Sequence, residues 1–394
     1  MSRPSSQATE LLPAAGSQRA KAILTRLGPL IGLIFVWGLF AVSVGSDFME
    51  WHNQRLILLQ ATVVATAAIG ATLIIISGGI DLSVGSAIAF GTMVVALILQ
   101  VQIGDWKPAE SMPIIWPFLA VLGGVLGGAV LGLGIGAMVI GHIGRVAALL
   151  AAVFVAVYGW GRITPFGAVP LGLVAGAGVL LLNEKLIKRI ELSPFIVTLG
   201  MWGALRGAAK GLGDNQPLYP EQSWITGLME TSDSGIGAIM APGVWIMLIL
   251  ALLAAGVLRY TRFGRHVFAI GSSEETARLC GVHVERSKLM IYAIAIACAG
   301  LAAVMQFSYL NGIGDPTTAE GYELKVIAAV VIGGASLAGG EGSIMGTIVG
   351  ALIMFVVDNG CTQLEYPNYV QEIVTGAIIV AAVALDRLRH RKSD

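Results

Sequence analysis

A carboxylate inside a glycine-rich break between two apolar runs is the first place in this chain where chemistry could be done. The stretch Gly78-Gly79-Ile80-Asp81-Leu82-Ser83-Val84-Gly85-Ser86 separates apolar residues 56–76 from 84–99. An unpaired charge at mid-bilayer costs about 2.5–3.5 kcal/mol on insertion scales, so Asp81 needs a physical reason to be there. One reason is a transport path, in which Asp81 hydrogen-bonds the hydroxyls of a solute. The other is an N-cap for the helix starting at Val84, with Ser83 as the alternative cap. The two are compatible. The stretch also recurs. Residues 78–98 lie over 333–353 without a gap, with identities at Gly78/Gly333, Gly79/Gly334, Leu82/Leu337, Gly85/Gly340, Gly91/Gly346, Thr92/Thr347, Val94/Val349, Ala96/Ala351, Leu97/Leu352 and Ile98/Ile353. Duplicated interrupted helices point to a transport path. The candidate path residues are Gly78, Gly79, Asp81 and Ser83 in the first break, and Gly333, Gly334 and Ser336 in the second. Asn359, in Asp358-Asn359-Gly360, joins them, although a turn at a span end suits that tripeptide equally well.

The elements that must position these residues are membrane helices. The 394 residues are 56% hydrophobic and only 12% charged, with a mean hydropathy of +0.81. Soluble domains carry about 25% charged residues. The expected fold is all-α: a polytopic helical bundle of about 10–12 hydrophobic segments with broken or re-entrant helices and an internal repeat. Zero net charge argues against a nucleic-acid partner. Cys280, Cys298 and Cys361 have no metal spacing, and no disulfide is expected. The five histidines are scattered, and no nucleophile–base pair falls within the spans, so the chain reads as no enzyme and holds no metal. Gly211-Leu212-Gly213-Asp214 and Gly339-Gly340-Glu341-Gly342 are glycine-rich but lack the lysine of a nucleotide-binding loop.

Residues 1–28, with Arg3, Arg19, Lys21 and Arg26, read as a disordered cytoplasmic tail before a membrane domain over 29–386. Gly124, Gly128, Gly132 and Gly136 stand four apart in the span 116–140, which lets helices approach closely in lipid. Tight packing is favoured there over a sliding surface. Lys185, Lys188 and Arg189 mark one basic loop. Residues 211–258 contain no Lys or Arg but carry Asp214, Glu221, Glu230 and Asp233. The segment 387–394 is a basic tail. Keeping the basic loops inside places both termini in the cytoplasm and the acidic loops outside. Trp37, Trp51, Trp106, Trp116, Trp160 and Trp202 are mostly near span ends, as interfacial anchors would be.

The loop 259–288 carries Arg259, Arg262, Arg265, Arg278, Arg286 and Lys288. Ser272-Ser273-Glu274-Glu275 fits a capping box, with Ser272 as N-cap and Glu275 at N3. Gly281 is placed to end the helix. A helix of about eight residues is marginal alone, so it must dock, either on the rest of this chain or on another subunit.

Four stretches resemble the inner-membrane permease subunit of bacterial ATP-binding-cassette sugar importers of the ribose/xylose/galactoside type. They are 79–86 (Gly-Ile-Asp-Leu-Ser-Val-Gly-Ser), 193–200 (Ser-Pro-Phe-Ile-Val-Thr-Leu-Gly), Phe263-Gly264-Arg265 through Ala277-Arg278-Leu279-Cys280-Gly281, and 331–340 (Val-Ile-Gly-Gly-Ala-Ser-Leu-Ala-Gly-Gly). Residues 284–289 and 358–360 look most like xylose permeases. The resemblance covers 29–115 and 167–386. It departs at 116–163, where an inserted helix pair is expected. It implies a permease homodimer in the bacterial inner membrane, two cytoplasmic ATPase subunits that bind the ATP, and a periplasmic sugar-binding protein. It makes 259–288 the coupling loop, with Ser272, Glu274, Glu275, Ala277, Arg278 and Gly281 at the ATPase surface. The solute would be xylose or a similar pentose or hexose. The alternative is an ion-coupled secondary transporter of a small polar solute with Asp81 as the ion site, which leaves the docking helix unexplained.

Overall fold

The computed structural model describes residues 15–102, 104–148, 165–182, 192–231 and 239–390. Among them the fold is helical, with one isolated antiparallel bridge between Leu218 and Gly314. The helices in chain order are α1 (Ala15–Val44), α2 (Ser46–Met49), α3 (Trp51–Ile76), α4 (Val84–Leu99), α5 (Pro108–Ser111), α6 (Ile115–Val139), α7 (Pro165–Leu182), α8 (Pro194–Leu212), α9 (Pro242–Tyr260), α10 (Arg262–Ser272), α11 (Glu274–Leu279), α12 (Val284–Tyr309), α13 (Tyr322–Ile332), α14 (Ile344–Gln363) and α15 (Asn368–His390). Among the described residues, six helical stretches are long and apolar enough to cross a bilayer: Leu27–Val44, α3, α6, α9, α12 and α14. At 16 residues for α4 and 11 for α13, these two rise only about 24 Å and 17 Å, short of a ~30 Å hydrocarbon layer. They are the broken helices that the glycine stretches announce.

Helix α3 is the axis of the bundle. Its apolar stretch is 94% buried, among α12, α13, α14 and α9. A helix buried on all sides has no amphipathic stripe, and its few polar side chains must be satisfied within the protein. Thr62, Thr66 and Thr72 do this by donating their hydroxyls to Leu58 O, Thr62 O and Ala68 O, each at 2.7 Å. Thr72 Oγ1 also meets Thr347 Oγ1 of α14 at 2.8 Å. Near the other end of the same pair, Asn359 Nδ2 donates to Asn53 Oδ1 at 2.9 Å. Those two contacts fix α3 and α14 as antiparallel neighbours.

The glycines of α6 are packing residues. A Cβ on Gly128 would strike the backbone of Ile296, and one on Gly132 would lie 2.8 Å from Ala293 Cα. Gly300 of α12 returns the fit against Gly124. Around Gly127 and Gly134, on the remainder of the helix, nothing lies within 4 Å. So α6 packs one face tightly against α12, while its other face, with Phe118, Leu126 and Val130, is exposed. The second half of the expected insertion, 149–164, lies outside the described residues, as does the basic stretch 183–191.

Two boundaries differ from the sequence expectation. Helix α1 starts at Ala15, so much of the expected disordered tail is helical. Pro29 is tolerated inside α1, as proline often is where apolar neighbours support a helix. Helix α15 runs to His390 and takes Arg387 and Arg389 of the expected tail into its last turn. The gapless repeat also fails in three dimensions. The helix stops correspond as Gly78 and Gly334, one position out of the expected register, and the second break is longer, 333–343 against 77–83. Shared glycine and aliphatic composition produced the linear alignment. The shared architecture is a helix, a left-handed glycine stop and a second helix.

The two glycine breaks and a polar cavity

Both breaks use the same device. Gly78 and Gly334 adopt φ of +82° and +92°, which a residue with a Cβ rarely tolerates. Gly78 N donates to Ile75 O and Gly79 N to Ile74 O, both at 2.9 Å. In the second break, Gly334 N donates to Val331 O at 2.9 Å and Ala335 N to Val330 O at 3.1 Å. These paired bonds satisfy the last carbonyls of α3 and α13 and turn the chain sharply.

Seven of the eight expected path residues fall in these breaks, and Asn359 lies toward the far end of α14. Asp81 is 3% exposed. Its Oδ1 accepts from Ser83 N and Ser83 Oγ, both at 2.7 Å. This is a turn just before α4, close to the capping role expected of it, while Ser83 itself makes no side-chain cap. Asp81 Oδ2 is buried with no hydrogen-bond partner, as is Tyr292 Oη. A Cβ on Gly79 would lie 2.9 Å from that Tyr292 oxygen. Gly333 is pressed against the backbone of Gly346 and Thr347. Ser336 Oγ accepts from Ala338 N at 3.2 Å. Asn359 is part of the strut to Asn53.

The basic loop meets both breaks at one junction. Gly340 N donates to Ile76 O at 2.8 Å. A Cβ on Gly339 would lie 2.7 Å from Gly271 O and 3.1 Å from Gly78 Cα, and one on Gly340 would lie 2.8 Å from Ser272 Oγ. So the C-terminal end of α10 touches the end of α3 and the loop before α14 through backbone. The capping register differs from the expectation: Ser273, not Ser272, is the N-cap, with Thr276 N at 3.2 Å from its Oγ. Ser272 closes α10 instead and donates to Phe268 O at 3.0 Å. The second helix is six residues, Glu274–Leu279, and it follows α10 directly. Gly281, at φ +83°, ends it as expected. Glu274 pairs with Arg278 at 3.3 Å and Lys288 at 2.6 Å. Ala277 is buried against Ile270 and Val284, and Leu279 is 83% exposed. Sequence reasoning passed over Leu279. A leucine next to the stop of an amphipathic short helix was the available signal.

A cavity of about 210 Å³ opens between α3, α12, α13, α14 and α15. It is lined by Gln60, Val63, Gln306, Tyr309, Tyr322, Lys325, Phe355, Asp358, Thr362 and Gln371. Lys325 pairs with Asp358 Oδ2 across α13 and α14, with side chains 26% and 14% exposed. The ammonium lies 5.2 Å from the centre of the Phe355 ring and 5.9 Å from that of Tyr322, a favourable place for a partly desolvated cation. Gln306 donates through Nε2 to Thr318 Oγ1 at 2.8 Å. Its Oε1 is buried without a partner. Of these residues only Asp358 stood near a candidate in the sequence. Lys325 within the apolar run 324–332 was a readable signal, because ionisable residues in membrane segments are rare and functional.

The chain matches the family described as branched-chain amino acid transport system / permease component over residues 55–141 and 135–383. It is 31% identical over 377 residues to the ribose import permease protein RbsC of Escherichia coli K12, covering 94% of this chain and 96% of the relative. The xylose transport system permease protein XylH of Haemophilus influenzae is 30% identical over 403 residues, covering 92% and 96%. The D-allose transport system permease protein AlsC of Escherichia coli K12 is 29% identical over 362 residues, covering 91% of both. No solved structure gives a significant match.

Proposed function

The chain belongs to the family of branched-chain amino acid transport system permease components, and on that premise we propose that it is the membrane permease subunit of an ATP-driven monosaccharide importer. Its relatives are named for ribose, xylose and allose. Their identities to this chain are too close together to choose among the three, so the xylose reading has no special support beyond residues 284–289 and 358–360. The observation that carries the proposal is the junction of Gly271, Ser272, Ile76 and Gly340. It supplies a mechanical route from a basic surface loop to both helix breaks. In this reading α10 and α11 are the docking element for a cytoplasmic ATPase, with Leu279 and the Glu274–Arg278–Lys288 group at its surface. The acidic end, with Glu221 held by Lys107 at 3.1 Å, meets a periplasmic binding protein. Two copies of the chain form the path, and both termini face the cytoplasm of a bacterial cell. The nucleotide is bound by the ATPase, so this chain needs no cofactor and catalyses nothing itself.

The test is a pull-down of the tagged protein in mild detergent, followed by mass spectrometry. An ATPase subunit at about one per permease is the expected result. A permease free of ATPase that still imports solute after reconstitution would sink the proposal and revive the ion-coupled alternative, with Asp81 as the first residue to test.

A further inference from the structure

We propose that the cavity between α3, α12, α13, α14 and α15 is a subsite for one neutral polyhydroxylated ring, and that the Lys325–Asp358 pair makes it reject charged solutes. The inference rests on the permease reading and names the residues that would meet the solute.

Three features carry it. First, the wall mixes amides and hydroxyls with aromatic carbon. Gln60, Gln306, Gln371, Tyr309, Tyr322 and Thr362 stand with Phe355 around about 210 Å³. A ring bearing hydroxyls has polar edges and apolar C–H faces, and this lining offers partners for both. Second, the site holds an unmet acceptor. Gln306 is 3% exposed and its Oε1 has no partner, although buried amide oxygens are almost always satisfied. A hydroxyl in the cavity would complete it. Third, the charges are already matched. The Lys325 ammonium faces Asp358 on one side and two aromatic rings on the others. A carboxylate entering the cavity would have to take Lys325 from Asp358 and leave that group unpaired and largely buried, which is strongly unfavourable. A neutral hydroxyl can bond to either partner while the pair stays intact.

The cavity has a direction. Thr362, Gln371 and Tyr309 lie at helix ends on the acidic side, while Phe355 lies about 10 Å deeper along α14. From Lys325 to the stop at Gly333–Gly334, α13 runs about 12 Å further.

The experiment measures protection. Cys280, Cys298 and Cys361 are replaced by serine, and Thr362→Cys is introduced at the mouth. Alkylation by N-ethylmaleimide is followed in the purified protein with D-ribose, D-xylose, D-allose or D-glucuronate as the probe. The expected result is slower alkylation with at least one neutral sugar and none with the sugar acid. Adding Gln60→Leu should weaken the protecting sugar's apparent affinity roughly three- to tenfold, the range for one neutral hydrogen bond. Failure of all three neutral sugars to protect, or equal protection by D-glucuronate, overturns the proposal. Because cysteine replacement can disturb the fold, Gln306→Leu is also placed in the native chain and import is assayed. A raised KM with turnover kept supports the subsite; an unchanged KM overturns it. Co-purification of an ATPase with an unprotected cavity would remove the subsite and leave the permease reading standing. Protection without an ATPase would do the reverse.

Discussion

Gly271→Ala asks whether the backbone junction transmits movement. The added Cβ would lie 2.6 Å from Gly340 N and closer still to Ile76 O. It would occupy the space of the Gly340 N–H to Ile76 O bond, now 2.8 Å. Overpacking of this kind costs about 1–3 kcal/mol, and the lost bond adds about 1 kcal/mol. The gain in helix propensity on replacing glycine by alanine returns up to ~1 kcal/mol. The net is about 1–3 kcal/mol, concentrated where α10 meets both breaks. If the two ends of the molecule are coupled there, that energy corresponds to about a 5- to 150-fold change in the linkage. The assay is the ratio of sugar imported to ATP hydrolysed in the reconstituted assembly. The control is Gly256→Ala on α9, where nothing lies within 4 Å of the new carbon. The ratio should fall in Gly271→Ala and hold in Gly256→Ala, with the helices of both intact by circular dichroism. Identical ratios in the two variants would refute the junction as the transmission point.

Gly132→Ala, whose Cβ meets the backbone of Tyr292 and Ala293, should destabilise the bundle by about 1–3 kcal/mol. Gly127→Ala, one face away and in open space, should be neutral or stabilising by up to ~1 kcal/mol. Equilibrium unfolding in mixed micelles separates them, and equal effects would remove the close-packing account. Asn359→Ala should cost about 0.5–1.5 kcal/mol, because Asn53 Oδ1 loses one donor but keeps Gln363 Nε2 at 3.2 Å. It should leave the preference among ribose, xylose and allose unchanged; a changed preference would return Asn359 to the path. Glu274→Gln weakens an exposed pair with Arg278 and a partly buried one with Lys288, so unfolding should move by about 1–2 kcal/mol. ATP hydrolysis by the assembly should nevertheless lose its response to sugar, and an unaltered response would exclude Glu274 from the docking surface.

Much of this organisation was legible in the sequence because membrane helices leave coarse signals. Apolar runs gave the bundle, the two glycine stretches gave the breaks, and the spacing of Gly124, Gly128, Gly132 and Gly136 gave a packing face. Other features were hidden for definable reasons. The choice of Ser273 over Ser272 as cap depends on where α10 ends, and adjacent serines cannot reveal that. The register of the two breaks was misread because glycine, alanine and valine align easily with one another. The cavity could not be read from periodicity at all. Its polar residues come one or two at a time from five helices, too sparse on any one of them to mark a face. Lys325 carried enough signal to be singled out, since a cation beside an apolar run demands a partner.

The same geometry divides the cavity wall into a fixed part and a part free to move. Helices α13 and α14 are locked by backbone contact: a Cβ on Gly350 would strike Ala329 O, and Gly346 and Gly333 press against each other. Cores packed this closely shift as units rather than deform. The Lys325–Asp358 pair spans these two helices, so it travels with them and cannot open by itself. It acts as a preorganised wall that sets which solutes are admitted. Helix α14 is in turn fixed to α3 through Thr72–Thr347 and Asn53–Asn359, so Gln60, on α3, belongs to the same body. Gln306 belongs to it as well, because a Cβ on Gly70 of α3 would lie 2.5 Å from Ala295 O of α12, whereas Gln371 on α15 lies outside this locked group. Release of a solute toward this side therefore falls to α15 parting from α13 and α14, and the junction at Gly271 is the place where a push on α10 reaches the locked body. Selection and movement are thus assigned to different helices, which is why a charge-neutral wall can stay intact through a cycle that opens the path.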